Sequence, residues 1–301
     1  MKRSVGPLEG DRTTVTGPIL TTRFAPSPTG LLHRGHAFSA LTAFAAAQAA
    51  SGRFLLRLED IDAERCRPEF EAAILEDLAW LGLEWKTPVR RQSEHMGDYR
   101  AALDRLQARG LVYRCFRTRR ELMEEIGRAP HGPEAAPFTG GPLAKTEEAE
   151  RLAHGDAFAW RLSLEAARRE LGEAGGALSF VEEGAGPAGQ TGVIVAQPEL
   201  AGDVILARKD LGVAYHLAVV VDDAGQGVTH VIRGQDLFEA THIQRLLQAL
   251  LGLPTPVYRH HRLLLRPDGK RFAKRDTAET LATLRASGLS ASDLRRELGF
   301  D

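Results

Sequence analysis

Two histidines three residues apart, His33 and His36, follow the run Arg23-Phe24-Ala25-Pro26-Ser27-Pro28-Thr29-Gly30. A short, partly β-branched stretch at 19–25 leads into the prolines, so a strand should feed a tight turn that opens a helix. Such a junction exposes backbone N–H groups, and a helix N-terminus favours phosphate. At i and i+3 the two imidazoles share a helix face and can hydrogen-bond one group. Gly35 between them leaves room for a flat ring on the backbone. On their own, His-x-x-His pairs are surface turns or metal pairs. A second cluster, Arg57-Leu58-Glu59-Asp60-Ile61-Asp62, puts three acids at a strand's end. Read alone, carboxylates there repel one another and stay in water. In a third, Tyr215 opens an apolar run that ends at Asp222-Asp223, and Arg233 closes a later one. Read alone, Tyr215 and the valines are core strand and Arg233 is a surface cation. A forked guanidinium nevertheless suits a carboxylate far better than an ammonium does. The fourth, Asp268-Gly269-Lys270-Arg271-Phe272-Ala273-Lys274-Arg275, is a glycine turn followed by cations. It reads as a mobile phosphate clamp, a nucleic-acid patch or a solvated loop.

The elements that must hold these groups alternate. After the strand at 19–25, the pattern predicts a helix over 31–50, a strand at 54–58 and a helix over 68–81 opened by Pro68. A short strand at 89–92 and a helix marked by Tyr99, Leu103 and Leu106, stopped by Gly110, follow. This alternation implies a parallel sheet. The middle is different: 128–143 is rich in proline and glycine, 147–171 is mixed, and 173–190 is Gly-rich and reads as flexible. It is expected to be an inserted subdomain. Strands are then expected at 203–208, 214–221 and 228–232, with a helix over 236–251. A Leu-rich strand after Arg262, the basic loop and two short helices close the chain.

Composition agrees with a folded domain. The 301 residues carry 39 basic and 40 acidic side chains, 43% hydrophobic residues and 26% charged ones. That excludes a wholly disordered chain, a collagen-like fibre and a disulfide scaffold. With two cysteines, Cys66 and Cys115, a reducing compartment is expected and a four-cysteine zinc site is excluded. No apolar run approaches the roughly 18–20 residues that span a bilayer, and 1–18 reads as a loose tail rather than a targeting signal. A cytoplasmic protein without membrane contact is expected. The near-zero net charge is segregated. Residues 57–84 hold nine acids against three bases, 90–128 ten bases against six acids, and 259–275 seven bases against one acid. Two basic blocks on a neutral chain suit a polyanionic partner, or else mark solvated faces.

Residues 23–36 resemble the signature strand and HIGH motif of class I aminoacyl-tRNA synthetases, in the glutamate branch. The resemblance implies an α/β fold: a Rossmann domain with a parallel sheet, an inserted α+β acceptor-type subdomain and a short C-terminal helical module. Its expected divisions are a tail at 1–18, Rossmann halves at 19–110 and 203–258, the insertion at 111–202, and the basic loop and C-terminal module at 259–301. It implies that His33 and His36 stabilise the α-phosphate of ATP during amino-acid activation, with Gly35 beside them. It also implies that Glu59 faces the α-amino group of L-glutamate. Arg23, Ala25, Ser27, Tyr215 and Arg233 would complete the glutamate pocket. Val219 and Leu237 stand where larger relatives often carry Asn and Trp. The basic loop matches the KMSKS loop in position, with Lys274 keeping the essential cation and Arg271 replacing the first Lys.

Only 26 residues follow Arg275, so no helical anticodon-binding region is expected. This short form resembles the stand-alone branch that esterifies the queuosine base of tRNA(Asp) and activates glutamate without tRNA. The implied partners are L-glutamate, ATP with Mg²⁺, and queuosine-modified tRNA(Asp), acted on by a monomer. A glutamyl-tRNA(Glu) synthetase, a small-molecule adenylyltransferase and a non-catalytic RNA-binding paralogue are the alternatives. Members of the family often hold zinc through a Cys-x-Cys pair, a Tyr and a later Cys. Here Cys115 is present, Arg117 takes the second position and His131 is the nearest other ligand, so no structural zinc is expected.

Overall fold

The computed structural model describes residues 19–117, 138–173, 177–208, 212–264 and 280–300. The N-terminal tail, His131 and the basic loop with Arg271 and Lys274 lie outside the described residues.

Strand β1 (Thr21–Phe24) is buried along its whole length and pairs in parallel with β2 (Arg53–Leu58). β2 pairs in parallel with β3 (Lys86–Arg91). On the far side of β1 lies β10 (His230–Gly234), joined through Thr229, whose N–H donates to the Thr21 carbonyl at 2.9 Å. The Thr21 N–H returns a bond to Thr229 Oγ1 at 2.8 Å. β10 pairs in parallel with β11 (Val257–His261). The two parallel sets meet edge to edge at the Thr21–Thr229 contact, which gives these strands the order β3-β2-β1-β10-β11. Strand order reverses between β1 and β10, and in open α/β sheets the crevice beyond such a reversal is where ligands bind.

Three helices support this sheet from the first half: α1 (Arg34–Ala49), α2 (Pro68–Trp80) and α3 (Met96–Ala108). α1 buries Ala37, Ala40, Leu41, Ala43, Phe44 and Ala47. Its small side chains bring it close to β1, β2 and β10. The C-terminal helices, α8 (Leu281–Ala286) and α9 (Ala291–Glu297), add Leu281, Leu294 and Leu298 to the same core.

A second sheet, antiparallel throughout, has the order β4-β5-β8-β9: Val112–Cys115, Ala159–Leu162, Ile205–Arg208 and Gly212–Val213. The helices α4 (Lys145–His154) and α5 (Leu164–Leu171) belong to this part of the chain. Its strands run past the boundary expected at 202/203, because β8 and β9 complete the sheet that β4 begins.

Three local readings are corrected. Residues 214–221 are not a strand; they fall in helix α6 (Tyr215–Gly225). Leu217, Ala218, Val219, Val220, Asp222 and Asp223 are all buried. A short helix buried on most sides has no polar stripe to betray its period, so the valine run mimics a strand. The stretch 173–190 is not wholly a flexible loop. It contains β6 (Ser179–Glu182), which pairs antiparallel with β7 (Gly192–Val195) and in parallel with β11 through Glu182 and Tyr258. The Leu-rich strand expected after Arg262 is displaced: β11 ends at His261, and 262–264 have no strand pairing. The expected helix at 236–251 is α7 (Phe238–Leu251), preceded by one 3₁₀ turn. Among the described residues, no helix is long and apolar enough to cross a membrane.

Candidate active site

Pro26 and Pro28 end β1 and free the chain to turn across the sheet's C-terminal edge. The turn is tied to the acidic segment by two backbone bonds, Glu59 N–H to Pro26 O and Arg67 N–H to Pro28 O, both 3.0 Å. A cavity of about 440 Å³ opens beside it, lined by Ser27, Thr29, Glu59, Gln92, Arg208 and Tyr215 among others. Ala25 lies half-buried in the same turn. A neighbouring cavity of about 280 Å³ is lined by His33, Gly35, His36, Ser39, Gly234 and Asp236. The segment from Ser27 to His36 contributes to both. Of the expected amino-acid residues, Ser27, Glu59 and Tyr215 line the first cavity, while Arg23, Ala25 and Arg233 are not in its lining; His33, Gly35 and His36 line the second.

His33 caps α1 rather than sitting within it. The Gly35 N–H donates to His33 Nδ1 at 3.1 Å, and the His33 N–H donates to His36 Nδ1 at 3.2 Å. The pair reproduces a capping box with imidazoles in place of hydroxyl and carboxylate. With both Nδ1 atoms accepting, each neutral ring carries its proton on Nε2. The rings stack with centroids 3.8 Å apart. A Cβ on Gly35 would fall 3.0 Å from His33 Cε1. The flat ring for which Gly35 leaves room is therefore that of His33 itself.

The described residues on either side of the basic loop meet the start of α1. Leu263 and Leu264 line the His33/His36 cavity on one side of it. On the other, Thr280 forms an antiparallel bridge with His33, and the Leu281 N–H donates to the Leu32 carbonyl at 2.8 Å. Arg34 pairs with Glu297 of α9.

Behind the larger cavity lies an ion network that the motifs alone do not reveal. Arg57, fully buried, donates to Asp223 Oδ1 at 2.7 Å, Gln226 Oε1 at 3.0 Å and Glu59 Oε1 at 3.1 Å. Arg23 Nε donates to the same Asp223 oxygen at 3.0 Å. Asp222 receives Gln92 Nε2 and Arg90 Nε at 2.7 Å and the Tyr99 hydroxyl at 2.8 Å. Burial opposes the Arg57 charge, yet Asp223, Glu59 and Asp222 together raise its pKa. Burial also pushes Asp223 up, but Arg23 and Arg57 outweigh it and hold that carboxyl below its ordinary value. Burial wins at Glu59, whose pKa is raised despite Arg57 and Arg23. The available signal was the Asp222-Asp223 pair at the end of an apolar run. Two acids on a buried helix need cationic partners.

Arg233 is buried beneath Tyr215. Its Nε donates to His260 Nε2 at 3.1 Å, and its Nη2 to Thr241 Oγ1 at 2.7 Å and the Leu237 carbonyl at 3.1 Å. Nη1 reaches the Tyr215 hydroxyl at 3.4 Å. The structure thus joins Tyr215 to Arg233, and Glu59 to Arg23 through Arg57 and Asp223. The guanidinium does not present an open fork, because Nε and Nη2 are engaged by the protein. Val219 is buried in the apolar core and adds no polar group.

Cys115 is buried in β4, with Arg117 two residues on. Among the described residues, no cluster of three or more His, Cys, Asp or Glu side chains could hold a metal ion. These side chains do not fit the family's four-ligand zinc site.

Comparison with known proteins places the chain in a family. The family model described as tRNA synthetases class I (E and Q), catalytic domain, matches residues 19–168 and 189–296. A Glutamyl-Q tRNA(Asp) synthetase from Rhodobacter capsulatus is 48% identical over 289 residues, covering 93% of this chain and 100% of that one. Its counterpart in Nocardia farcinica is 44% identical, covering 89% of this chain and 80% of that one. A crystal structure of glutamate-tRNA synthetase from Elizabethkingia anophelis superposes with a TM-score of 0.70 at 26% identity, covering 86% of this chain and 53% of that one. By its fold, its paired cavities and these matches, the chain belongs to the catalytic-domain family of class I tRNA synthetases for glutamate and glutamine.

Proposed function

We propose that this protein activates L-glutamate with ATP, without tRNA, and transfers the glutamyl group to the queuosine base of tRNA(Asp). The likeness along the full length of the Rhodobacter capsulatus protein carries this reading. The adjoining cavities support it.

In the first step a carboxylate oxygen of glutamate attacks the α-phosphorus of ATP. The bond to the bridging oxygen breaks, and its electron pair leaves with pyrophosphate. No protein nucleophile is needed, so positioning and electrostatic stabilisation carry the step. Glu59 takes the α-ammonium group, with Ala25 and Ser27 alongside. Arg233 Nη1 and the Tyr215 hydroxyl take the side-chain carboxylate, and Arg23 is the second cation. His33 and His36 turn Nε2–H donors toward the α-phosphate, over Gly35. ATP enters as its Mg²⁺ complex, and Lys274 with Arg271 meets the leaving phosphates. In the second step a hydroxyl of queuosine attacks the glutamyl carbonyl and AMP leaves. The protein works as a cytoplasmic monomer.

Pyrophosphate exchange with glutamate and ATP alone tests the activation step. Exchange without RNA is expected. Exchange that appears only after tRNA is added contradicts the reading.

A further inference from the structure

Arg233 is held by more than its own strand. Glu182 Oε1 accepts the backbone N–H groups of His260 at 2.8 Å and Gly184 at 2.7 Å. Its Oε2 lies 2.5 Å from His260 Nδ1, and both side chains are completely buried. A carboxylate opposite Nδ1 fixes the ring proton there, leaving the Nε2 lone pair to accept from Arg233 Nε. Two hydrogen bonds in line thus run from a carboxylate on β6 through an imidazole on β11 to a guanidinium on β10.

We propose that Glu182 and His260 are positioning residues that set the orientation of Arg233 and, through it, the affinity for the side-chain carboxylate of the amino acid. The inference rests on the reading that Arg233 meets that carboxylate. His260 takes Nε, and Thr241 with the Leu237 carbonyl takes Nη2. Nη1 is left on the side of Tyr215, which lines the larger cavity. Two donors on two side chains, rather than one open fork, then define the carboxylate's place. Without the acceptor at His260 Nε2, the guanidinium is no longer held at its Nε edge.

Other features fit this role. Burial lowers the His260 pKa and Arg233 lowers it further, against the pull of Glu182, so the ring stays neutral as an acceptor must. Burial would raise the Glu182 pKa, but the bonds from His260 hold that carboxyl below its usual value. A Cβ on Gly184 would stand 2.2 Å from the His260 carbonyl oxygen, so the chain after β6 docks closely on β11.

Five proteins decide the matter: wild type, Arg233→Leu, Glu182→Gln, His260→Met and His260→Gln. Glutamate and ATP are titrated separately in pyrophosphate exchange, and folding is checked by circular dichroism. A Gln at 260 can place an amide oxygen near the position of Nε2; Met fills similar space without an acceptor. A Gln at 182 donates where the carboxylate accepted, which turns the imidazole to the wrong tautomer. His260→Met and Glu182→Gln should raise the KM for glutamate about tenfold, the scale of one lost charge-assisted hydrogen bond, with the KM for ATP unchanged. His260→Gln should stay within about threefold of wild type. If Arg233→Leu raises the glutamate KM and His260→Met does not, the relay is overturned and the pocket stands. If Gln at 260 fails as Met does, the acceptor is not what matters and the relay is also overturned. If Arg233→Leu leaves the glutamate KM unchanged, the reading of the pocket is wrong and the inference goes with it.

Discussion

At the scale of single residues, the two histidines form a cap whose rings are the ones proposed to meet the α-phosphate. Their Nδ1 atoms are spent on backbone N–H groups, so both rings are oriented before any ligand arrives. Gly35 permits this because any larger residue would press on the His33 ring. Gly35→Ala isolates the effect. Helix propensity favours alanine by about 0.5–1 kcal/mol and offsets the cost of loosening the His33 cap, so thermal stability should change little. Displacing the ring should nevertheless cut kcat for pyrophosphate exchange about tenfold, since a preorganised donor is lost in part. Wild-type kcat in a folded Gly35→Ala protein would remove His33 from the phosphate site.

The residues that touch ligand in this account were legible because they sit in contiguous motifs: His33, Gly35 and His36 in one, Glu59 in another, Tyr215 and Arg233 at the edges of apolar runs. What holds them was not. Asp223 is 200 positions from Arg23, and Glu182 is 78 from His260. Asp222-Asp223 at the end of an apolar run signals that cations are needed, but nothing local says which distant residues the sheet will bring to them.

Elements fared differently according to how one-sided their burial is. Helix α1 announced itself by its Ala-rich run, and α2 by apolar spacing and Pro68. α6 did not, because it is covered on most sides and rich in valine, and its residues have more in common with a buried strand. β6 was hidden by its glycine-rich surroundings, where composition argues for a loop and only pairing with β7 and β11 makes a strand.

The contact between α2 and α8 carries a separate prediction. Asp77 is buried with neither carboxylate oxygen hydrogen-bonded, and Arg285 Nη1 is 3.6 Å away. Burial raises its pKa to about 6, with Arg285 pulling the other way. An acid whose pKa is raised on folding contributes most below its unfolded value, near 3.8, and that contribution is lost as pH rises through about 6. Between pH 8 and pH 4 the wild type should therefore gain about 1–3 kcal/mol relative to Asp77→Asn, measured by urea denaturation of both proteins. Parallel pH profiles for the two proteins would mean that Asp77 is ionised in the fold.

On the scale of the whole molecule, the strand order places β1 beside β10 and brings three distant stretches to one edge: the turn at 25–36, the segment at 59–62 and the end of β10. Leu264 and Thr280, the nearest described residues on either side of the basic loop, arrive at the same edge, beside the cavity lined by His33 and His36. The chain spans 53% of the glutamate-tRNA synthetase from Elizabethkingia anophelis, but all of the Rhodobacter capsulatus relative. The choice of RNA is therefore the central claim, and it concerns a partner far larger than either cavity.

Acylation with labelled glutamate tests it most directly, with queuosine-containing tRNA(Asp), queuosine-free tRNA(Asp) and tRNA(Glu) offered in parallel. Label should enter queuosine-containing tRNA(Asp), and should stay out of the other two. Equal labelling of both forms of tRNA(Asp), or labelling of tRNA(Glu) instead, would contradict the account.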